Sequence, residues 1–201
     1  MIVIGLTGSI GMGKSTTAAL FAEEGIPVND ADQVVHDLYR GEAVAPIAAL
    51  FPDAVTKGVV DRKALSENLA KNPAKFKELE AIVHPLVRAR EMRFLEEARA
   101  AGAAMVLLDI PLLFETGGAD RVDRIVVVSC DPEIQRQRVL ERPGMTAEKF
   151  EMILKRQLPD ADKRERADFV IDTGHGIEAA RGRVREIIAE LKASKGSESD
   201  A

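Results

Sequence analysis

Apolar residues gather in short runs along this chain rather than in strict alternation. The runs lie in Ile2 to Leu6, Ile26 to Val28, Ala104 to Leu108, Arg124 to Ser129 and Asp168 to Asp172. Runs of this length suit strands of a parallel sheet covered on both faces. Between them the period changes to that of a helix. Thr17, Leu20, Phe21 and Glu24 follow the first run and stop at Gly25, and Val34, Val35, Leu38 and Tyr39 follow the second. Ile177, Ala180, Val184, Ile187, Ile188 and Leu191 make a closing amphipathic helix. The expected fold is α/β: five parallel strands, the first of them central, between two layers of helices.

From Gly41 to Gly102 the pattern is helical with no long strand, broken by the turn-like Phe51-Pro52-Asp53 and Thr56-Lys57-Gly58. It reads as an inserted helical subregion. Phe76, Leu79, Val83, Leu86 and Val87 form its core-facing stripe. Pro85 is expected to break or restart that helix, which puts His84-Pro85 at a junction. The expected layout is one domain. Its core covers about 1–40, 103–135 and 167–192, the helical insertion about 41–102, a lid about 136–166 and a disordered tail about 193–201.

Chemistry enters between the first strand and the first helix. Gly8-Ser9-Ile10-Gly11-Met12-Gly13-Lys14-Ser15 spells G-x-x-x-x-G-K-S, the P-loop of nucleotide-binding proteins. Its glycines turn successive backbone N–H groups inward on an anion, and the helix that opens near Gly13 adds the positive end of its dipole. Gly8, Gly11, Met12, Gly13, Lys14, Ser15 and Thr16 are therefore candidate nucleotide contacts. Lys14 reaches the terminal phosphates, and the Ser15 hydroxyl suits magnesium. An apolar strand ending in Asp109 is the Walker B arrangement, which makes Asp109 the second magnesium-side candidate.

Asp30 and Asp32 stand at the carboxyl end of the second strand, where βαβ units place ligands. A transfer to a hydroxyl wants a carboxylate that orients the acceptor and takes its proton, and Asp32 is the choice. Either residue also suits a helix cap. His84 suits a structural role or contact with a substrate phosphate. Arg88, Arg90 and Arg93 suit a solvated face or an anionic substrate. Leu112, Leu113 and Phe114 suit packing or an apolar wall beside the acceptor, and Glu115 suits the surface or a substrate contact.

Between Ile134 and Arg166 stand nine Lys or Arg against six Asp or Glu, an excess that an arginine-rich lid would explain. Pro143 to Thr146 would be its hinge or tip, and Arg138 and Arg142 its phosphate contacts. A salt-bridged pair of surface helices is the alternative. Thr173 to Gly176, after the last strand, would edge the adenine.

Composition narrows the class. A net charge of −5 argues against a general nucleic-acid or membrane-surface binder. The single cysteine, Cys130, excludes an intrachain disulfide and points to a reducing, cytoplasmic setting. No basic segment precedes the first apolar run, and no apolar stretch nears ~18 residues, so neither a signal peptide nor a membrane span is expected. The oligomeric state stays open, and a monomer is compatible with the sequence.

Taken together, these residues resemble the dephospho-CoA kinase family over nearly the whole chain. The carriers are Gly5-Leu6-Thr7-Gly8 running into the P-loop, Asp30-Ala31-Asp32, His84-Pro85, Pro111-Leu112-Leu113-Phe114-Glu115, Gln135 to Arg142, Arg156-Gln157 and Ala167-Asp168. The resemblance implies a P-loop kinase that moves the γ-phosphate of ATP to the ribose 3′-hydroxyl of dephospho-coenzyme A. It also implies magnesium and a helical CoA-binding subregion. Ser9 and Met12 depart from the family's usual loop, and Asp172-Thr173 stand where it often has an asparagine. Another small-molecule or nucleoside-monophosphate kinase is the alternative within the class, and a regulatory NTPase outside it. No Asn-Lys-x-Asp guanine motif is present.

Overall fold

A computed structural model describes residues 1–198. Strand β1 (Ile2–Thr7) leads through the P-loop into α1 (Lys14–Glu23), then β2 (Val28–Asp30), α2 (Ala31–Leu38), α3 (Val44–Leu50), β3 (Val55–Thr56), β4 (Val59–Val60), α4 (Arg62–Lys71) and α5 (Lys75–Ala100). There follow β5 (Met105–Asp109), β6 (Arg124–Ser129), α6 (Pro132–Leu140), α7 (Ala147–Leu154), α8 (Asp160–Glu165), β7 (Phe169–Asp172) and α9 (Ile177–Glu198). The chain divides into two compact units, residues 30–97 and the remainder. The insertion thus starts about ten residues before the expected boundary, because α2 packs its Leu38 with Ile47, Phe51 and Leu65.

In the larger unit, five strands form a parallel sheet in the order β2-β5-β1-β6-β7 with β1 at its centre, as expected. The register is fixed by pairs such as Ile4 with Leu107, Leu6 with Val126 and Val127 with Val170. Ile4, Leu6, Leu107, Val126 and Val128 are buried because helices cover the sheet, which is why their runs show no alternation. Leu20 and Phe21 of α1 join Val184, Ile187 and Leu191 of α9 in the same core, each worth roughly 1.5–3 kcal/mol of burial. Two carboxylates finish strand starts. Asp123 accepts from the Val3 N–H at 2.7 Å and Asp168 from the Ile125 N–H at 2.7 Å.

Two sequence expectations shift here. The second strand occupies Val28–Asp30, not Ile26 to Val28: Ile26 is buried in the turn after Gly25, and Pro27 has no N–H to donate although its carbonyl accepts from Leu107. The closing helix continues to Glu198, so residues 193–198 are helical where a disordered tail is expected; residues 199–201 lie outside the described residues.

The smaller unit is built on Leu38, Ile47, Phe51, Val60, Leu65, Leu79 and Val83. Its strands are two residues each, paired antiparallel across Lys57 (φ 52°) and Gly58 (φ 76°). Two central residues in the left-handed region make the tight turn that fits strand twist. Arg62 stacks over Tyr39, whose hydroxyl pKa is raised by burial despite the Arg62 charge. Pro85 does not break the helix: α5 runs unbroken across it. Loss of one main-chain bond is outweighed there by the burial of Leu79 and Val83 and the packing of Leu86 and Val87. Phe76, expected in the same stripe, is 52% exposed and outside the core.

Candidate active site

The P-loop has the geometry its glycines were expected to allow. A Cβ on Gly8 would stand 2.3 Å from Val128 Cγ2 and 2.9 Å from the Val128 carbonyl oxygen, so the loop can enter this close to β6 only without a side chain. Gly11 (φ 80°) and Gly13 (φ 88°) hold left-handed conformations that L side chains rarely adopt. Gly13 is the N-cap of α1, no side chain caps that helix, and its first turn has no acidic residue. Its leading N–H groups, with Ser15 and Thr16 exposed beside them, are left for an anion.

Lys14 Nζ lies 2.6 Å from Asp109 Oδ1, with Asp109 buried at the end of β5. Ser15 Oγ and the Asp109 carboxylate are hard oxygen donors of the type magnesium takes. Among the described residues no group of three or more His, Cys, Asp or Glu could hold a metal. Two donors of this kind suit an ion that takes the rest of its shell from phosphate and water.

Residues far from the loop in sequence hold it in shape. Ile10 is bracketed by two glutamines: its N–H donates to Gln157 Oε1 at 3.0 Å, and its carbonyl accepts from Gln135 Nε2 at 2.7 Å. The Thr173 hydroxyl donates to the Met12 carbonyl at 2.9 Å. Arg138 donates to Thr173 twice, at 2.9 Å to Oγ1 and 2.8 Å to the carbonyl. Met12 is buried against Cys130, whose N–H and thiol both approach its sulfur, at 3.2 and 3.4 Å. Burial raises the Cys130 pKa against the Arg138 charge, which keeps the thiol protonated as a small packing group. Both glutamines stand in segments that carry the family resemblance, but the spacing does not show what they touch; Gln135 lies one turn before buried Val139, on the inward face of α6.

Beside the loop opens a cleft of about 390 Å³, lined by Gly11, Gly13, Thr16, Arg138, Arg142, Thr173, Gly176 and Ile177 among others. Arg138 and Arg142, expected at the nucleotide, both line it, and so does the loop after the last strand. Arg136 instead pairs with Glu151 across α6 and α7 at 3.5 Å, the salt-bridged alternative.

Two of the expected substrate contacts have partners within the protein. Leu113 is fully buried, its side chain packed where a Cβ on Gly5 or Gly118 would stand, so it is structural floor. Glu115 is occupied: its Oε1 lies 2.9 Å from the buried Lys163 ammonium and accepts from the Leu158 N–H at 2.8 Å. Burial alone would raise the Glu115 pKa; the Lys163 ammonium beside it, with the N–H groups of Leu158 and of Glu115 itself, turns the shift downward. Leu112, by contrast, is 39% exposed and available to a ligand.

In the smaller unit, Asp30 is the cap of α2, accepting from the Asp32 N–H at 2.8 Å and the Gln33 N–H at 3.1 Å. The exposed Asp32 carboxylate is therefore not the cap. His84 and Arg88 are exposed on one side of α5, one turn apart, within the helix rather than at a junction. His84 lies 4.0 Å from Glu80, and Arg90 pairs with Glu42 at 3.2 Å.

This strand order, with an anion-ready loop at the end of the central strand and a lysine answered by the aspartate of the neighbouring strand, defines the P-loop kinase class. Within that class the sequence is decisive. The dephospho-CoA kinase family model matches residues 2–178, and the chain belongs to that family. A relative from Agrobacterium fabrum named dephospho-CoA kinase is 67% identical over 96% of this chain and 100% of its own length. One from Rhizobium meliloti with the same name is 61% identical over the same shares. The solved dephospho-CoA kinase from Campylobacter jejuni superposes with a TM-score of 0.73 at 25% identity, covering 96% of this chain and 98% of that one.

Proposed function

We infer that the chain phosphorylates the ribose 3′-hydroxyl of dephospho-coenzyme A with ATP, giving coenzyme A and ADP. The observation that carries this is the family match across residues 2–178, together with a P-loop whose lysine and helix start are built for phosphate. Among the described residues no helix is long and apolar enough to cross a membrane. The cytoplasm, where ATP and the acceptor are both in solution, is the proposed compartment.

Roles follow from chemistry. The loop amides and the N-terminus of α1 take the ATP phosphates, and Lys14, held by Asp109 at 2.6 Å, has a phosphate as its alternative partner. Ser15 and Asp109 are the residues proposed to hold magnesium, which would supply charge neutralisation for the phosphates. Arg138 and Arg142 in the cleft stabilise negative charge as it spreads over the transferring group. Asp32 orients the acceptor hydroxyl and takes its proton, a role left open to it because Asp30 does the capping. His84 and Arg88 are the proposed contacts to the acceptor's phosphates, and Leu112 to its apolar parts. The loose transition state asks little of a base, so positioning and charge supply most of the acceleration.

The test is ADP release from purified protein with Mg-ATP, with and without dephospho-CoA, and mass spectrometry of the product. Dephospho-CoA is expected to gain one phosphoryl group, and only its addition is expected to raise ADP release. Equal or faster turnover of shikimate, gluconate or a nucleoside monophosphate would transfer the assignment to another small-molecule kinase. ADP release independent of any acceptor would favour a regulatory NTPase.

A further inference from the structure

The contacts of Glu115 lead to the segment that supports the P-loop. A single carboxylate oxygen, Oε1, meets two groups of the segment before β7: the Leu158 N–H at 2.8 Å and Lys163 Nζ at 2.9 Å. Lys163 is fully buried, and a buried ammonium persists only beside an anion. The start of α8 has a second tie, since Ser129 Oγ donates to Asp160 Oδ2 at 2.7 Å. Between the P-loop and these ties stands Gln157, directly before Leu158, whose side-chain oxygen accepts from the Ile10 N–H. Residues 157–163 are thus anchored to the end of β6 and to the segment after β5, and extend one side chain to the P-loop main chain.

We propose that Glu115 and Lys163 are positioning residues for ATP: they fix Leu158 so that Gln157 holds the Ile10 amide and sets the curvature of the P-loop. Neither touches the nucleotide, and the effect passes through Gln157. The ionised state of Glu115 is part of the device, in keeping with its lowered pKa. The segment carrying α8 is accordingly held by Glu115 and by Ser129. This inference rests on the reading that the P-loop binds the ATP phosphates.

The experiment is a cycle of variants in the full-length protein: Gln157→Leu, the pair Glu115→Met with Lys163→Met, and all three together. The paired methionines remove both ends of the ion pair at similar volume, a change that is often neutral for stability. Each protein is measured for KM of ATP, KM of dephospho-CoA, Kd of a fluorescent ATP analogue and Tm. Gln157→Leu and the methionine pair are each expected to raise the KM and Kd for the nucleotide by roughly five- to tenfold, the worth of one main-chain hydrogen bond. The triple variant is expected within about twofold of either, as residues acting through one another are not additive. KM for dephospho-CoA should stay at the wild-type value. Three results overturn the proposal: wild-type nucleotide affinity in Gln157→Leu, multiplied effects in the triple variant, or a raised KM for dephospho-CoA with ATP unaffected, which would make Glu115 an acceptor contact. Should the methionine pair fail to fold, Glu115→Gln replaces it; a wild-type KM for ATP there equally overturns the idea. Analogue binding needs no acceptor. A wild-type protein that binds it but shows no acceptor-dependent turnover refutes the assigned reaction and leaves this proposal to be judged on Kd.

Discussion

The Lys14 ammonium and the Asp109 carboxylate lie 2.6 Å apart, joining the start of α1 to the end of β5 across the mouth of the P-loop. The pair is largely shielded from water, at 14% and 1% side-chain exposure, so its charges are only weakly screened. In the proposed reaction each partner has a second use: the ammonium on phosphate, the carboxylate on magnesium. The pair therefore keeps both groups in place before either is needed.

Separating those two uses gives the first prediction. Lys14→Met should lower kcat/KM by roughly 10²–10³-fold, the scale found when a preorganised charge contact to the transition state is removed. Asp109→Asn leaves the lysine and changes only the carboxylate, so its loss should fall mainly on the magnesium requirement. Magnesium titrations of kcat at saturating ATP check this: the midpoint should move to higher concentration in Asp109→Asn. An unmoved midpoint would remove Asp109 from the metal side.

Asp30 and Asp32 are two residues apart and should fail in different ways. Asp30→Ala deletes the cap bonds to the Asp32 and Gln33 N–H groups, a loss of about 1 kcal/mol and a fall in Tm of about 2–4 °C. Asp32→Asn removes an exposed carboxylate that caps nothing, so Tm should hold while kcat drops by roughly 10²-fold or more. Thermal melts and steady-state rates on the two variants give the comparison. An Asp32→Asn protein turning over at the wild-type rate would retire Asp32 as base.

Gly8 tests the close approach of the loop to β6. An alanine there would place its Cβ 2.3 Å from Val128 Cγ2 and 2.9 Å from the Val128 carbonyl oxygen. Overpacking of this kind costs about 1–3 kcal/mol, and here it would also push the loop off its phosphate geometry. Gly8→Ala should thus lower both Tm and ATP affinity. Adding Val128→Ala relieves the side-chain clash but not the carbonyl one, so the double variant should recover only part of each. Full recovery by calorimetry would show that the backbone approach is not the constraint.

The parts legible in the sequence are those set by neighbouring residues. β1, β5, β6 and β7 fall within a residue of their apolar runs; in β1, β5 and most of β6 burial on both faces makes the run continuous. Lys14, Ser15 and the Asp30 cap follow from local spacing in the same way. The parts that local pattern leaves open depend on residues far along the chain. Glu115 cannot be told from a substrate contact without Lys163 and Leu158, and Leu113 looks like an apolar wall until Gly5 and Gly118 close over it. The supports of the P-loop are the extreme case: Gln135, Gln157 and Thr173 reach its main chain across 125, 147 and 161 residues. A polar side chain whose partner is a distant backbone amide leaves no periodic trace.

Pro85 shows how tertiary packing overrules a local signal, and it supplies the last prediction. The residue lies in the middle of the 26-residue α5 and has no N–H to give the carbonyl one turn back. A helix interior resists proline by about 3 kcal/mol relative to alanine, yet Leu79 and Val83 on one side and Leu86 and Val87 on the other keep both halves in register against a shared core. Pro85→Ala restores the missing bond and relieves the ring, while the more flexible unfolded chain offsets up to about 1 kcal/mol of that gain. The net effect should be about 1–2 kcal/mol in favour of the fold, a rise in Tm of a few degrees. Pro85 is itself exposed, so the substitution removes no core contact that would reverse the sign. Circular dichroism at 222 nm during a thermal melt reads both consequences, since helicity and Tm should rise together. A Tm at or below wild type would mean that the ring, not the apolar stripe, holds the two halves of the helix in place.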